Sequence, residues 1–231
     1  MIPLKDNIPT DRVAVVTIAL IAINVFVYFV LERGGFTVSD DGLVNSWGVI
    51  PYELLHPGEE TSSGSQPPAF VTAISSIFLH GSIFHLAGNM LFLWIFGNNI
   101  EDAMGRLKFI AFYLLGGLAA VLAQSLVDAG SHTPMIGASG AIAGVLGAYA
   151  VLYPRARVVT LIFIVIIFTV IELPAVLMLG LWIAQEIALG AADVGGTNGV
   201  AYFAHIGGFV AGAALIRAFA TNVKQVPLRL S

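Results

Sequence analysis

Long apolar runs broken by short polar stretches organise this chain. Six of them, at about 13–31, 83–100, 107–127, 137–153, 173–189 and 202–220, carry few or no charges. Each approaches the roughly 20 residues that a helix needs to cross a bilayer's hydrocarbon core. The pattern predicts an all-α, polytopic membrane protein: a six-helix bundle with a large first external loop at 32–80. The first run, Val13 to Leu31, outlasts the roughly 7–15 residues of a signal-peptide core and no A-x-A-like site follows it closely, so it reads as a retained transmembrane helix.

A seventh apolar run, Val158 to Ile171, does not fit this count. Its 14 residues end at Glu172-Leu173-Pro174, and as a helix they would reach about 21 Å, short of a core of roughly 30 Å. Thirteen of them are β-branched or aromatic, which is not a helical preference. A further full span would also invert the last helix and carry its basic residues to the other side. The run is expected to be an interfacial or re-entrant segment leading into the fifth helix, with a long tilted helix kinked near Pro174 as the alternative.

Composition supports the membrane assignment, and charge orients it. Of 231 residues, 58% are hydrophobic and 10% charged, against about 25% charged in a typical soluble domain. With the N-terminus in the cytoplasm, Lys5, Arg12, Arg106, Lys108, Arg155, Arg157, Arg217, Lys224 and Arg229 lie at or near the inner face, leaving Arg33 outside. This divides the chain into a cytoplasmic N-terminus at 1–12, a membrane domain at 13–220 and a cytoplasmic tail at 221–231. The absence of cysteine excludes disulfides, thiolate metal sites and a cysteine nucleophile. The net charge of −4 adds nothing further.

The first external loop carries Glu32, Asp40, Asp41, Glu53, Glu59 and Glu60. Its stretch from Glu59 to Pro68 is rich in turn formers. Trp47 to Leu55 and Phe70 to Leu79 mix apolar and polar residues as interfacial segments do, so the loop is expected to cap the membrane domain.

Candidate chemistry concentrates at the outer ends of the spans. Ser139, in Gly137-Ala138-Ser139-Gly140, stands where a loop containing Pro134 passes into an apolar helix. Backbone N–H groups at a helix start can donate to a developing oxyanion. The same serine could be an N-cap, or part of a small-residue packing face with Gly144. His205, in Ala204-His205-Ile206-Gly207-Gly208, is an ionisable group within a span, which points to function. The helices carrying Ser139 and His205 run in the same direction, so both residues reach comparable depth as a nucleophile and its base would. His85 and Asn89 are four apart on one helical face and can both donate through side-chain nitrogens. His80 is assigned a structural or gating role.

Other readings lack their residues. There is no His-Glu-x-x-His, and a metal site from His80, His85 and His205 requires their convergence. An aspartyl protease needs two facing membrane acids, whereas Asp128 and Asp193 fall at helix ends. Glu186, near the outer end of the fifth helix, is read as an interfacial or packing residue, and Asn24, Gln124 and Gln185 as interhelical hydrogen-bond formers.

Taken together, His80-x4-His85-x3-Asn89-Met90, Gly137-Ala-Ser139-Gly140 and Ala204-His205-x-Gly207-Gly208 resemble the rhomboid family of intramembrane serine proteases. Gly97-Asn-Asn-Ile-Glu101-Asp102 and Gly105-Arg106 are similar to that family's second-to-third helix junction, and the likeness covers roughly 13–220. It implies a six-helix rhomboid-like bundle with Ser139 as nucleophile, His205 as general base and acid, and His85, Asn89 and the Ser139 N–H as oxyanion donors. It further implies cleavage of transmembrane or membrane-proximal segments of other proteins, with no metal or cofactor.

Two positions depart from the family pattern. Ala143 stands where some members have a tyrosine stacked on the histidine, leaving Tyr149 or the second helix to position His205. Gly48 follows Trp47 where some members have arginine. The expected partners are transmembrane substrates and membrane lipids, not nucleic acid or metal, and the expected location is a prokaryotic plasma membrane. The rival readings are a catalytically silent, client-binding rhomboid-like protein and, more remotely, a small-solute transporter, for which paired broken helices are missing.

Overall fold

The computed structural model describes residues 1–32, 40–59, 67–164, 167–193 and 199–224. Arg33, Arg229 and most of the turn-rich stretch between Glu59 and Pro68 lie outside them. Strand β1 (Ile2–Asp6) leads into helix α1 (Val15–Phe26), which continues through a π-helical stretch to Glu32. Among its described residues the first loop contains three short α-helices, α2 (Asp40–Trp47), α3 (Pro51–Leu55) and α4 (Ala69–Ser75). Helices α5 (Ile83–Phe92) and α6 (Asn98–Met104) are joined through π-helical Leu93–Gly97 into one continuous rod. Then come α7 (Arg106–Val127) and α8 (Ser139–Leu152), strands β2 (Arg157–Ile164) and β3 (Ile167–Pro174), and helices α9 (Ala175–Ala192) and α10 (Tyr202–Phe219).

Helices stand at all six expected places. Five of these stretches, Val15–Glu32, Ile83–Met104, Arg106–Val127, Ala175–Ala192 and Tyr202–Phe219, are long and apolar enough to cross a membrane. They turn Phe26, Phe29, Leu107, Leu122, Leu126, Val176, Leu181 and Val210 outward. Such a belt is a liability in water and the expected surface in lipid. The sixth helix, α8, has only 14 residues, and Gly140 through Tyr149 are all buried. Wrapped by its neighbours, it does not meet lipid along its length.

Small residues allow that burial. A Cβ added at Gly212 would stand 1.9 Å from the Gly144 carbonyl oxygen, and one at Gly147 would stand 2.0 Å from that of Phe209, so the backbones of α8 and α10 touch directly. On the other side of α8, Gly116 of α7 faces the Gly144 Cα at 3.6 Å from its would-be Cβ. Without a hydrophobic force between helices in lipid, this close van der Waals packing holds the bundle together.

The seventh apolar run is not a kinked extension of the fifth helix. It forms a β-hairpin, in register from Arg157↔Pro174 to Ile164↔Ile167, and β1 adds antiparallel to β2 in the order β1-β2-β3. β-branched residues favour a pleated surface over a helical one, and the pairing satisfies backbone groups that an extended segment at an interface would leave open.

The first loop is tied to the loop before α8. Val49 pairs with Met135 through two backbone hydrogen bonds of 3.2 and 2.8 Å, and the Tyr52 N–H donates to the Ser131 carbonyl at 3.0 Å. Ser75 Oγ donates to the Trp47 carbonyl at 2.7 Å. Gly48 has no room for a larger residue, because an added Cβ would lie 2.6 Å from the Val44 carbonyl oxygen and 2.9 Å from Pro134 Cβ. The departure at this position thus has a packing cause, and the first loop is fastened to the segment that precedes Ser139.

Candidate active site

Ser139 is the first residue of α8, with Ala138 as its N-cap. Gly137 turns the chain into the helix at φ +124°, a conformation open to glycine. Its N–H is held by the Ser76 carbonyl at 2.8 Å. The first helical bond of α8 is Ile142 N–H to the Ala138 carbonyl, so the N–H groups of Ser139, Gly140 and Ala141 point out of the helix end. Ser139 does not cap the helix. Its Oγ lies 2.8 Å from Nε2 of His205 on α10.

The other ring nitrogen of His205 is also engaged. Nδ1 lies 2.6 Å from Oε2 of Glu186 on α9. A carboxylate that accepts from Nδ1 leaves Nε2 as the ring's acceptor toward the serine hydroxyl. Trp182, one turn before Glu186, sets its ring 5.9 Å from the imidazole at 37°. Glu186 is only 7% exposed. It is buried inside the bundle rather than interfacial, and its carboxylate meets His205, a partner for which the sequence carries a signal: a buried acid in a membrane helix needs one.

His85 and Asn89 stand on the α5 face toward the serine. Ser82 caps α5 by accepting the His85 N–H at 3.1 Å. The point a Gly137 Cβ would occupy is 2.9 Å from His85 Nε2 and 3.6 Å from Ser139 Oγ, so both side chains border the same small space. Asn89 is buried, and its Nδ2 has no protein partner among the described residues. His85, Asn89, Ser139, Trp182 and His205 share one open cavity of about 920 Å³. Pro51 and residues 130–136 also line it.

His80 is outside this cavity's lining. It is buried behind His85, with ring centroids 5.2 Å apart, and its backbone N–H donates to the Glu32 carboxylate at 3.1 Å. Burial, with a smaller effect from His85, pushes its pKa down to about 4. Among the described residues no cluster of three His or acidic side chains is arranged to hold a metal ion.

The expected polar helpers divide. Gln124 Oε1 crosses from α7 to accept the N–H groups of Phe203 and Ala204 at 3.1 and 3.3 Å, capping α10 just before His205. Asn24, by contrast, donates to Leu20 of its own helix, and Gln185 is exposed on α9. Tyr149 does not hold His205: its hydroxyl donates to Asp6 Oδ2 at 2.6 Å, beside the strands. Ala143 is fully buried against Gly208, its Cβ 3.4 Å from where a Gly208 Cβ would be, which leaves no space there for a ring.

A polytopic helical bundle whose serine and histidine meet at a helix start inside a cavity defines the class. The rhomboid domain profile matches residues 67–222, more than half of the chain. The chain is 30% identical over 202 residues to "Rhomboid protein 1, mitochondrial" of Saccharomyces cerevisiae, covering 84% of this chain and 50% of that protein. It is 32% identical over 201 residues to "Rhomboid protease GluP" of Bacillus subtilis, covering 86% and 34%. A shorter match, 38% over 96 residues, joins it to "Presenilin-associated rhomboid-like protein, mitochondrial" of Mus musculus, covering 41% and 26%. This chain belongs to the rhomboid family. It spans half or less of the length of these relatives.

Proposed function

We propose that this chain is an intramembrane serine endopeptidase that cleaves transmembrane or membrane-proximal segments of other membrane proteins. The observation that carries the reading is the 2.8 Å contact between Ser139 Oγ and His205 Nε2 within a cavity of an otherwise apolar bundle. His205 takes the hydroxyl proton as Oγ attacks a substrate carbonyl. The carbonyl oxygen becomes an oxyanion facing His85, Asn89 Nδ2 and the Ser139 N–H. His205 then hands its proton to the leaving amine, and water entering the open cavity releases the acyl group by the same steps in reverse order.

The reading extends to topology. Clustering of basic residues at the ends that bear the termini favours a cytoplasmic location for both and an outward-facing site. A prokaryotic plasma membrane suits the small membrane domain, although two of the relatives bear mitochondrial names. The test is reconstitution in liposomes with a labelled single-span protein. The wild type should yield two fragments, and Ser139→Ala and His205→Ala none. Fragments from Ser139→Ala at the wild-type rate would overturn the proposal, and stable binding of the substrate without cleavage by the wild type would favour the client-binding reading instead.

A further inference from the structure

We propose that Glu186 is the positioning residue for the general base, so that the hydrolytic machinery is a Ser139-His205-Glu186 relay spread over α8, α10 and α9. The inference rests on the serine-protease reading above. His205 lines the open cavity but stands in an otherwise apolar bundle, its side chain only 15% exposed. Once it accepts the serine proton, the imidazolium needs an anion on the far side of the ring. Glu186 Oε2 at 2.6 Å from Nδ1 supplies that anion, and it also fixes the tautomer that leaves Nε2 free to accept.

The position is built rather than incidental. Glu186 and Trp182 are four apart on α9, so one helical face presents both the carboxylate and the indole to His205. Ala143 and Tyr149 of α8 offer no substitute, because Ala143 is packed on Gly208 and Tyr149 is bonded to Asp6. The other titratable groups lining the cavity with His205 are His85 from α5 and Asp128 and His132 from the loop following α7. None of these has a hydrogen bond to the imidazole, whereas Glu186 does.

The experiment measures the rate of Ser139 labelling by a fluorophosphonate against pH, in detergent, for the wild type, Glu186→Gln, Glu186→Leu and Glu186→Asp. Glu186→Gln keeps shape and an acceptor but removes the charge. Its labelling should fall by roughly 10²-fold or more, and the acidic limb of its pH profile should move to lower pH, because the imidazolium loses its anion. Glu186→Leu should lose as much or more, and Glu186→Asp should recover part of the rate. Should the leucine variant fail to fold, the near-isosteric glutamine variant carries the test, with thermal unfolding recorded alongside. A Glu186→Gln profile superimposable on the wild type would overturn the inference while leaving the protease reading intact. A wild type that does not label removes both.

Discussion

The carbonyl oxygen of Gly140 lies so close to Gly208 that a Cβ added there would stand 2.1 Å from it. Gly140 follows the nucleophile and Gly208 lies one turn beyond the base, so this backbone contact sets how near Ser139 and His205 can come. Gly208→Val should force α10 away from α8. We expect a loss of about 1–3 kcal/mol in stability, the usual cost of overpacking, and disappearance of fluorophosphonate labelling at temperatures where the variant is still folded. Unfolding in detergent and labelling measured together check both.

Gly137 has two reasons to be glycine. Its φ of +124° suits no side chain, and a Cβ would sit 2.8 Å from His85 Cε1. Gly137→Ala should therefore displace His85 from the space beside Ser139. The expected effect is that of losing one oxyanion donor, about 10²–10³ in kcat, with His85→Ala giving a similar loss and the double variant little more. Rates that multiply instead of saturating in the double variant would contradict the shared role.

Glu101 has structural work at the opposite end. Its carboxylate reaches from α6 to accept the N–H groups of Val16 and Thr17 at 3.0 and 2.8 Å and the Thr17 hydroxyl at 2.8 Å, capping α1. Glu101→Ala leaves three buried donors unpaired, each worth about 1–3 kcal/mol. We expect at least about 2 kcal/mol of destabilisation, smaller for Glu101→Gln, with the pH profile of Ser139 labelling unchanged in the surviving folded fraction.

His80 lies outside the spanning helices, and burial holds its pKa at about 4, below the ordinary value of about 6.5. Between those values the unfolded chain binds a proton that the folded chain does not, so stability is full above about pH 6.5 and falls as pH drops toward 4. The loss amounts to about 3 kcal/mol. His80→Gln should flatten this part of the stability profile, which unfolding midpoints measured from pH 4 to 7 would reveal.

Much of the bundle was legible because apolar run length and glycine spacing are direct consequences of lipid as solvent. The six helices follow from the first. The meeting of Ser139 and His205 follows from the second, with charge bias setting direction. The contact between Glu186 and His205 was not legible because the two lie 19 residues apart and no local pattern joins α9 to α10. The hairpin was half legible: β-branched content argued against helix, but pairing to Ile2–Asp6 is a contact across some 150 residues that periodicity does not register. Gly48 is glycine because of Pro134, a neighbour 86 residues away that no local pattern announces.

The central claim, that His205 activates Ser139 as a nucleophile, is tested most directly by fluorophosphonate labelling of the whole chain in liposomes followed by mapping of the modified residue. The account predicts a single adduct on Ser139, absent in Ser139→Ala and in His205→Ala. An unlabelled wild type, or an adduct that persists in Ser139→Ala, would contradict it.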